Sequence, residues 1–256
     1  MKLKYVTCSG LNEKNDMEMV AGMACFNRCI EIAFQVSGVK CSFGSPRYEW
    51  LTELHRLCRK FPWQRFHFAL HLNSDWVERF CAGEEIPELE KLLKFRDAKG
   101  RRFFGRVQLN FKIGRNKVPP VEKLAEVLKK YTVPGRKFIV SYNESNAEYL
   151  QELYKLFQNV DVIYDNSFGE GIKAEWKPPC FGDHRKVVQG YAGGLSPENV
   201  YHELEKIMAI LPKDAVFSID AENGIKDEPG KEKYCSRCAS YIGRAFCALP
   251  YDVCKR

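Results

Sequence analysis

The sequence predicts an α/β protein, a single-domain (β/α)8 TIM barrel that spans residues 1–256. Short apolar runs alternate with helical stretches along the whole chain, and eight such units would recur about every 32 residues. No linker or shift in composition interrupts this alternation. An open doubly wound sheet would normally use fewer strands in its first domain, so the closed barrel is the better prediction.

Eight segments are the predicted strands. Each is a short apolar or alternating run, as expected for strands that are buried in a parallel sheet. They are Leu3–Cys8, Ile30–Val36, Phe66–Leu72, Arg106–Leu109, Phe138–Ser141, Val160–Tyr164, Val187–Tyr191 and Ala215–Ile219. On the third of them, His67 and His71 alternate with apolar residues, which predicts that they pack in the core or at its rim.

Helical periodicity is clearest in four of the segments between these strands. They are Trp50–Phe61, Val121–Tyr131, Ala147–Phe157 and Glu198–Leu211. Ser196 and Pro197 precede the last of them and would supply its N-cap and a proline in its first turn. Prolines 178 and 179 and Gly182 shorten the segment after the sixth strand. We therefore expect seven regular helices and one irregular connection.

The composition is that of an ordinary globular protein. With 45% hydrophobic and 29% charged residues, 12 prolines and 18 glycines, the chain is neither collagen-like nor disordered. No apolar run approaches the roughly 18 residues of a membrane span, and the first residues do not resemble a signal peptide, so we expect a cytoplasmic protein without a membrane partner. The net charge of +7 is scattered, which favours an anionic ligand over nucleic acid.

The eleven cysteines are irregularly spaced. In a reducing cytosol most of them would be small buried hydrophobic residues. Cys235 and Cys238 form a Cys-x2-Cys pair, but Cys247 and Cys254 in the C-terminal tail 247–256 are separated by six residues. Packing is therefore the expected role and no metal is predicted, with metal binding as the alternative.

The candidate site lies just after the strands, because a barrel of this kind has its active site at the carboxyl ends of its strands. Gly193 and Gly194 lead directly into a predicted helix start, whose backbone N–H groups and positive dipole end favour a phosphate group. Asn223 and Gly224 follow the eighth strand, so the loops after strands 7 and 8 (loop 7 and loop 8) are predicted to bind phosphate. A tight strand-to-helix turn without a ligand is the alternative. No nicotinamide or ATP motif occurs, and no cofactor is expected.

These residues form part of five motifs that occur in the same order as in phosphoribosylanthranilate isomerases, and the chain resembles that family over nearly its whole length. The most specific motifs are Ser45-Pro46-Arg47-Tyr48, the run from Ala192 to Val200, and Asp220 followed by Asn223-Gly224-Ile225 and Pro229-Gly230-Lys231. Weaker support comes from Val107-Gln108-Leu109 and from Asp165 followed by Gly169, Gly171 and Trp176. The resemblance implies an enzyme of tryptophan biosynthesis that needs no cofactor and performs an Amadori rearrangement of a phosphoribosyl-arylamine to an aminoketone.

The resemblance also implies a role for each site residue. Asp165 would be the general acid, which has to carry a proton when it acts, Cys8 the base, and Arg47 the clamp for the carboxylate of the substrate. Further substrate contacts would come from Gln108, Asn110, Gly169, Gly171 and Asp220, and phosphate contacts from Gly193, Gly194, Asn223 and Gly224. The implied partner is a phosphorylated small molecule, and both a monomer and a homodimer are compatible with the motifs.

Four positions depart from the family pattern, and all of them lie at the predicted site. Ser9 stands between Cys8 and Gly10, Asn110 replaces a common histidine, Glu170 interrupts a glycine-rich loop, and Glu222 would face the phosphate. A slip of one residue turns a strand side chain to the other face, so either Cys8 or Ser9 faces the site. The alternatives are a divergent enzyme that acts on another phosphorylated or nucleotide-derived sugar, and a non-catalytic binding protein.

Overall fold

The computed structural model describes residues 1–165, 175–181, 185–227 and 235–249. Eight parallel strands pair in chain order, and the eighth pairs with the first to close the barrel. They are β1 (Lys2–Ser9), β2 (Ile30–Val36), β3 (Phe68–Leu72), β4 (Phe104–Leu109), β5 (Lys137–Tyr142), β6 (Val160–Asp165), β7 (Gln189–Ala192) and β8 (Val216–Ala221). The predicted (β/α)8 barrel is confirmed.

Helices alternate with these strands and cover the outside of the barrel. Those among the described residues are α1 (Met17–Phe26), α2 (Gly38–Cys41), α3 (Pro46–Cys58), α4 (Ser74–Ala82), α5 (Pro87–Lys94), α6 (Val121–Tyr131), α7 (Ala147–Leu156), α8 (Val200–Ile210) and α9 (Cys235–Ala248). Residues 175–181 and 185–188, the described part of the connection from β6 to β7, contain no helix, in agreement with the predicted irregular connection. None of the helices described is long and apolar enough to cross a membrane.

Two predicted helix starts are wrong, and local hydrogen bonds of side chains explain both. The helix predicted from Trp50 begins at Pro46, because the Ser45 hydroxyl accepts a hydrogen bond from the Tyr48 N–H at 3.3 Å. The helix predicted from Glu198 begins at Val200. There Asn199 accepts from the Ser196 N–H at 2.9 Å and donates to the Gly194 carbonyl at 2.8 Å, which closes a turn before the helix.

The lower interior of the barrel contains a buried ion network in place of the usual branched aliphatic layer. The Arg106 Nη1 atom donates to Glu31 at 2.7 Å, and its Nη2 atom lies 3.7 Å from Asp161. Thr7 donates to Glu31 at 3.1 Å, and the Lys137 ammonium lies 3.6 Å from Asp161. Burial raises the pKa of Glu31 and of Asp161, and Arg106 opposes this shift in both. The network is a structural feature that joins β1, β2, β4, β5 and β6.

The described cysteines behave mainly as small core residues. Six of them are buried, and within the described chain all are free thiols. The buried ones are Cys8, Cys29, Cys41, Cys58, Cys81 and Cys238. On α9 Cys238 is buried and Cys247 is exposed, so these two thiols lie on different faces of the helix. The side chain of Cys235 and residue Cys254 lie outside the described residues.

Candidate active site

A polar cavity of about 370 Å3 opens at the carboxyl ends of the strands, where barrels have their active sites. Each of the eight strands contributes an inward-facing residue to it. In strand order these are Ser9, Gln35, His71, Gln108, Ser141, Asp165, Ala192 and Asp220. Loops 7 and 8 and the loops after β2, β3 and β4 form its rim. Of the residues predicted for the site, those that line this cavity are Gln108, Asn110, Asp165, Gly193, Gly194, Asp220, Asn223 and Gly224.

The structure places Ser9 in this cavity and Cys8 outside it. Ser9 lines the cavity, and its hydroxyl donates to the Ala221 carbonyl at 3.2 Å. Cys8 is fully buried in the apolar core. Burial raises the pKa of Tyr241 on α9, and Cys8 adds to that increase. Neighbouring residues of a strand face opposite ways, so Cys8 faces the helical layer and the base implied by the resemblance is not in the cavity.

Two aspartates of the cavity lie on either side of a small residue, at the carboxyl ends of their strands. Ala192 on β7 pairs in register with Asp165 on β6 and with Asp220 on β8. The two aspartates are therefore separated by two strand spacings, or about 10 Å between their Cα atoms. The methyl group of Ala192 leaves the space between the two carboxyl groups open. A substrate atom between them could exchange protons with both.

Asp220 is the carboxyl group whose environment is most unusual. It is 8% exposed, and its Oδ1 atom has no hydrogen-bond partner among the described residues. Burial raises the pKa of Asp220 well above its ordinary value, and the charges of Glu222, Glu31 and Asp165 raise it further, while the Ser9 hydroxyl opposes the shift. A raised pKa favours the protonated form, so Asp220 can serve as a proton donor.

Glu222 lines the same cavity and increases its negative charge. Burial raises the pKa of Glu222 and Asp165 adds to this, whereas Lys226, Lys40 and a hydrogen bond with Gln35 lower it. The carboxylate that seemed incompatible with a phosphate therefore has two lysines near it. Glu222 also lies close enough to Asp220 to influence the protonation of that residue.

His71 and a chain of amides form the opposite wall. His71 pairs in register with Gln108, whose amide donates to Asn110 at 2.7 Å, and Asn110 donates in turn to Asn73 at 2.7 Å. Burial lowers the pKa of His71 to about 3, so the imidazole is neutral, and its buried Nε2 atom has no partner in the described part of the chain. The sequence analysis predicted that His71 packs in the core or at its rim and did not predict this wall. His71 and Asn73 are two residues apart and therefore face the same side of the strand, which could have indicated that both line the cavity.

Arg47 lies outside the cavity in this structure, and its role as the clamp of the substrate carboxylate stays a prediction. The residue is 5% exposed, and its guanidinium donates from Nε to Glu13 and from Nη1 to the Gln35 carbonyl at 2.9 Å. It is not among the residues that line the cavity. Glu13, in the loop after β1, neutralises Arg47 outside the cavity and fixes that loop against the end of β2.

Loops 7 and 8 meet at the rim, as the sequence predicted. Gly193 and Gly194 have φ angles of 114° and 67°, which only glycine adopts readily, and both line the cavity with Asn223 and Gly224. Arg237 of α9 connects the two loops. It donates to the Gly224 carbonyl at 2.8 Å and to both carboxylate oxygens of Glu198 at 2.8 and 2.6 Å. The two loops are thus held against each other at the rim.

Gly224 is packed too closely against loop 7 to accept a side chain. A Cβ atom at this position would lie 2.1 Å from the Leu195 carbonyl oxygen. We expect Gly224→Ala to push the loops apart and lower the free energy of unfolding by about 1–3 kcal/mol, measured by urea denaturation. Gly243→Ala is the matched control, because no atom lies within 4 Å of its added methyl group and alanine favours the helix by about 1 kcal/mol. Equal stability of Gly224→Ala and wild type would contradict this account of the loops.

Three cationic side chains lie at the rim of the cavity. The sequence analysis treated them only as part of the scattered positive charge. Lys40 precedes α3, and Lys112 and Arg115 follow β4; all three line the cavity. Two amide side chains hold the loop after β4, because Asn116 accepts from the Lys112 N–H at 2.9 Å and Asn146 accepts from the Ile113 N–H at 2.8 Å. These three cations give the rim a positive charge that Arg47, outside the cavity, does not supply.

Some of the predicted residues lie outside the described part of the chain. They are Gly169, Gly171 and Glu170 after β6, and Pro229-Gly230-Lys231 after β8. Trp176 is described, and its indole N–H donates to Glu203 of α8 at 2.7 Å. It therefore ties the irregular connection to the outer helices.

The barrel is similar to solved structures of known enzymes. Phosphoribosylanthranilate isomerase from Thermotoga maritima, crystallised as monomers of a dimeric enzyme, has a TM-score of 0.52 at 15% identity, with 96% of this chain and 99% of that chain covered. The same enzyme from Thermus thermophilus has a TM-score of 0.52 at 13% identity, with 97% of this chain and 100% of that chain covered. KGPDC from Streptococcus mutans has a TM-score of 0.50 at 14% identity, covering 96% and 99%.

The comparisons by sequence give no relative. No protein-family model matches the chain, and no curated protein matches it. At identities of 13–15% the structural likeness concerns the fold. The resemblance inferred from the motifs is therefore shown for the barrel, and the reaction has to be argued from the cavity.

Proposed function

We propose that this chain is an acid–base isomerase that acts on a phosphorylated sugar, with an Amadori-type rearrangement as its reaction. The observation that carries the proposal is the pair of aspartates on either side of Ala192, of which Asp220 is buried with a raised pKa. Two carboxyl groups in different environments, facing one reaction space, are the usual arrangement for acid–base chemistry. Loops 7 and 8 would bind the phosphate.

The chemistry requires one proton donor and one proton acceptor. Asp220 would donate its proton to the ring oxygen as the bond between this oxygen and C1 breaks, which leaves C1 doubly bonded to the amine nitrogen. Asp165 would then take the proton from C2, and the released electron pair forms a C1–C2 double bond. Asp165 then returns its proton to C1 while the C2 hydroxyl gives its proton back to Asp220, which completes the ketone and restores both carboxyl groups. C1 is thus reduced and C2 is oxidised within one molecule.

This assignment reverses the role implied for Asp165 and replaces Cys8. Asp165 is partly exposed at the mouth of the cavity, which suits a proton acceptor, whereas the burial of Asp220 suits a donor. His71 and the Gln108–Asn110–Asn73 chain offer neutral hydrogen-bonding groups to the sugar hydroxyls. Lys40, Lys112 and Arg115 offer charge to a carboxylate or phosphate.

A second candidate is the same chemistry on a phosphorylated sugar that lacks an arene carboxylate. It is favoured by Arg47, which the resemblance assigns to that carboxylate and which Glu13 holds outside the cavity. In this case phosphate recognition by loops 7 and 8 would be retained, and only the aglycone would differ.

The deciding experiment follows the fluorescence decay of freshly made phosphoribosylanthranilate after purified protein is added. Turnover supports the arylamine substrate. If a folded protein gives no turnover, thermal unfolding is measured with ribose 5-phosphate and with ribose. Stabilisation by the phosphorylated sugar alone supports the second candidate, and stabilisation by neither removes the proposal of a phosphorylated-sugar enzyme.

A pair of neighbouring variants tests which residue of β1 takes part. We expect Cys8→Ala to leave kcat within about twofold of wild type, because its thiol faces α9. Ser9→Ala should move the alkaline limb of the kcat/KM profile to higher pH, since its hydroxyl opposes the upward pKa shift of Asp220. Loss of turnover in Cys8→Ala with an unchanged melting temperature would return the base to Cys8.

A further inference from the structure

A second cavity, of about 420 Å3, lies at the opposite end of the barrel. Tyr5, Glu31 and Arg106 form its inner end, and residues at the amino-terminal ends of β3 to β5 form its sides. This end of a barrel normally serves stability, so an open and strongly charged cavity here requires an explanation.

A hairpin in the long connection between β3 and β4 forms the outer wall of this cavity. Arg96 and Arg102 pair as an antiparallel bridge, and the Asp97 N–H donates to the Arg101 carbonyl at 2.9 Å. The Asp97 carboxylate accepts from the backbone N–H groups of Lys99 and Arg101, each at 2.9 Å. The turn is thus held by its own hydrogen bonds. A compact barrel does not require this hairpin, which here forms one wall of the cavity.

The cavity has an excess of positive charge. Two carboxylates line it, and both are paired: Glu31 with Arg106 at 2.7 Å and Asp97 with Arg101 at 2.5 Å. Arg65 and Arg102 have no side-chain hydrogen bond or ion pair within the described part of the chain. The five arginines of the lining are Arg65, Arg96, Arg101, Arg102 and Arg106. Three positive charges therefore remain without a carboxylate.

Nearby groups respond to this charge. Burial lowers the pKa of His67, which lines the cavity, to about 4, and Arg65, Lys4 and Arg101 contribute to the decrease. Burial lowers the pKa of Arg136, next to Gly135 of the lining, to about 10, and Arg96 contributes. An arginine whose positive charge is disfavoured by another arginine indicates that local negative charge is insufficient.

A buried donor faces the same end of the barrel. Arg106 is 5% exposed, and its Nε atom is buried without a hydrogen-bond partner among the described residues. Its guanidinium lies over the ring of Tyr5, with the guanidinium carbon 4.5 Å from the ring centroid. A buried N–H without an acceptor is unfavourable, so the charge of Arg106 is not fully compensated by hydrogen bonds within the described residues.

We propose that this cavity at the amino-terminal end is a second ligand site, which binds a small phosphorylated anion. Arginine forks match phosphate oxygens, the volume suits a small molecule, and the exposed Arg65 at the rim can reach an entering ligand. The site shares no lining residue with the cavity at the carboxyl end, so it does not depend on the proposed reaction. A ligand here would bind the folded protein from the side opposite to the substrate.

Pyrophosphate binding, measured by isothermal titration calorimetry at about 0.15 M salt, tests the proposal because such salt screens weak surface attraction. Because loops 7 and 8 are also proposed to bind phosphate, the relevant signal is the pyrophosphate binding that persists in a variant of that first cavity. We expect the double variant Arg65→Gln/Arg102→Gln to weaken this binding at least tenfold. Lys40→Gln/Arg115→Gln removes the same charge from the other cavity and is the matched control, in which this binding should persist. If the double variant does not fold, Arg65→Gln alone is used, because that side chain is exposed.

Three results would overturn the proposal. They are no binding of pyrophosphate by wild type, loss of binding only in the control variant, and an equal loss in both variants. The last of these would show that general positive charge, and not this cavity, attracts the anion.

Discussion

Asp220→Asn is expected to lower kcat by about 100- to 10,000-fold, the usual contribution of a positioned acid or base. Asparagine has nearly the same shape, so the cavity should persist, but its amide is far too weak an acid to give a proton to the ring oxygen. The measurement is turnover of the substrate identified by the first assay. Asp214→Asn, on a carboxylate that pairs with Arg185 at the surface, is the control and should keep full activity.

Stability measurements separate this catalytic role from a structural one. The pKa of Asp220 is raised in the folded protein above the value of about 3.9 in the unfolded chain. At pH values between these two pKa values, Asp220 is protonated in the folded state and ionised in the unfolded chain. The free energy of unfolding therefore falls as pH rises through this interval. The amide that replaces the carboxyl group cannot titrate, and the variant should therefore gain stability relative to wild type as pH rises above about 4. A variant that loses both activity and stability at pH 8 would assign Asp220 a structural role.

The pH profile gives a further check on the donor. If Asp220 acts in its protonated form, kcat/KM falls as pH rises through its pKa. Glu222 helps to raise that pKa, so Glu222→Gln should move this alkaline limb to lower pH. An unchanged limb would mean that another group supplies the proton.

Arg106→Met is expected to lower the free energy of unfolding by about 3–5 kcal/mol, because it leaves Glu31 and Asp161 buried without their shared cation. Methionine fills much of the volume of the arginine stem, so lost packing is a minor part of the effect. Urea denaturation at pH 7 measures the loss.

The pH dependence and a combined variant identify the cause of that loss. Without Arg106, the pKa values of Glu31 and Asp161 rise further in the folded state, so the deficit should grow as pH rises above about 4. Glu31→Gln/Arg106→Met/Asp161→Asn removes the charges together and should recover most of the stability. A loss below about 1 kcal/mol in Arg106→Met would mean that the network adds little.

Hydrophobic periodicity alone determined the architecture. The strand Ile30–Val36 and the helix Val121–Tyr131 were predicted with their observed boundaries, and all eight strands were located. This succeeds because a (β/α)8 barrel repeats one local pattern, and burial on both faces gives each strand a continuous apolar run. Loops 7 and 8 were also predicted to meet, since neighbouring parallel strands end at the same edge.

The tertiary structure decided which side chains face the reaction space. Cys8 and Ser9 are equally compatible with the sequence, and only barrel closure, with Cys8 opposite Ala221, turns Ser9 inward. Arg47 was predicted to bind substrate, but Glu13, distant in the sequence, holds it outside the cavity. His71 becomes a cavity residue because its strand lies beside the one that carries Gln108. A sequence pattern records which residues are buried, whereas the partner of each buried charge is set by strands that meet only when the barrel closes.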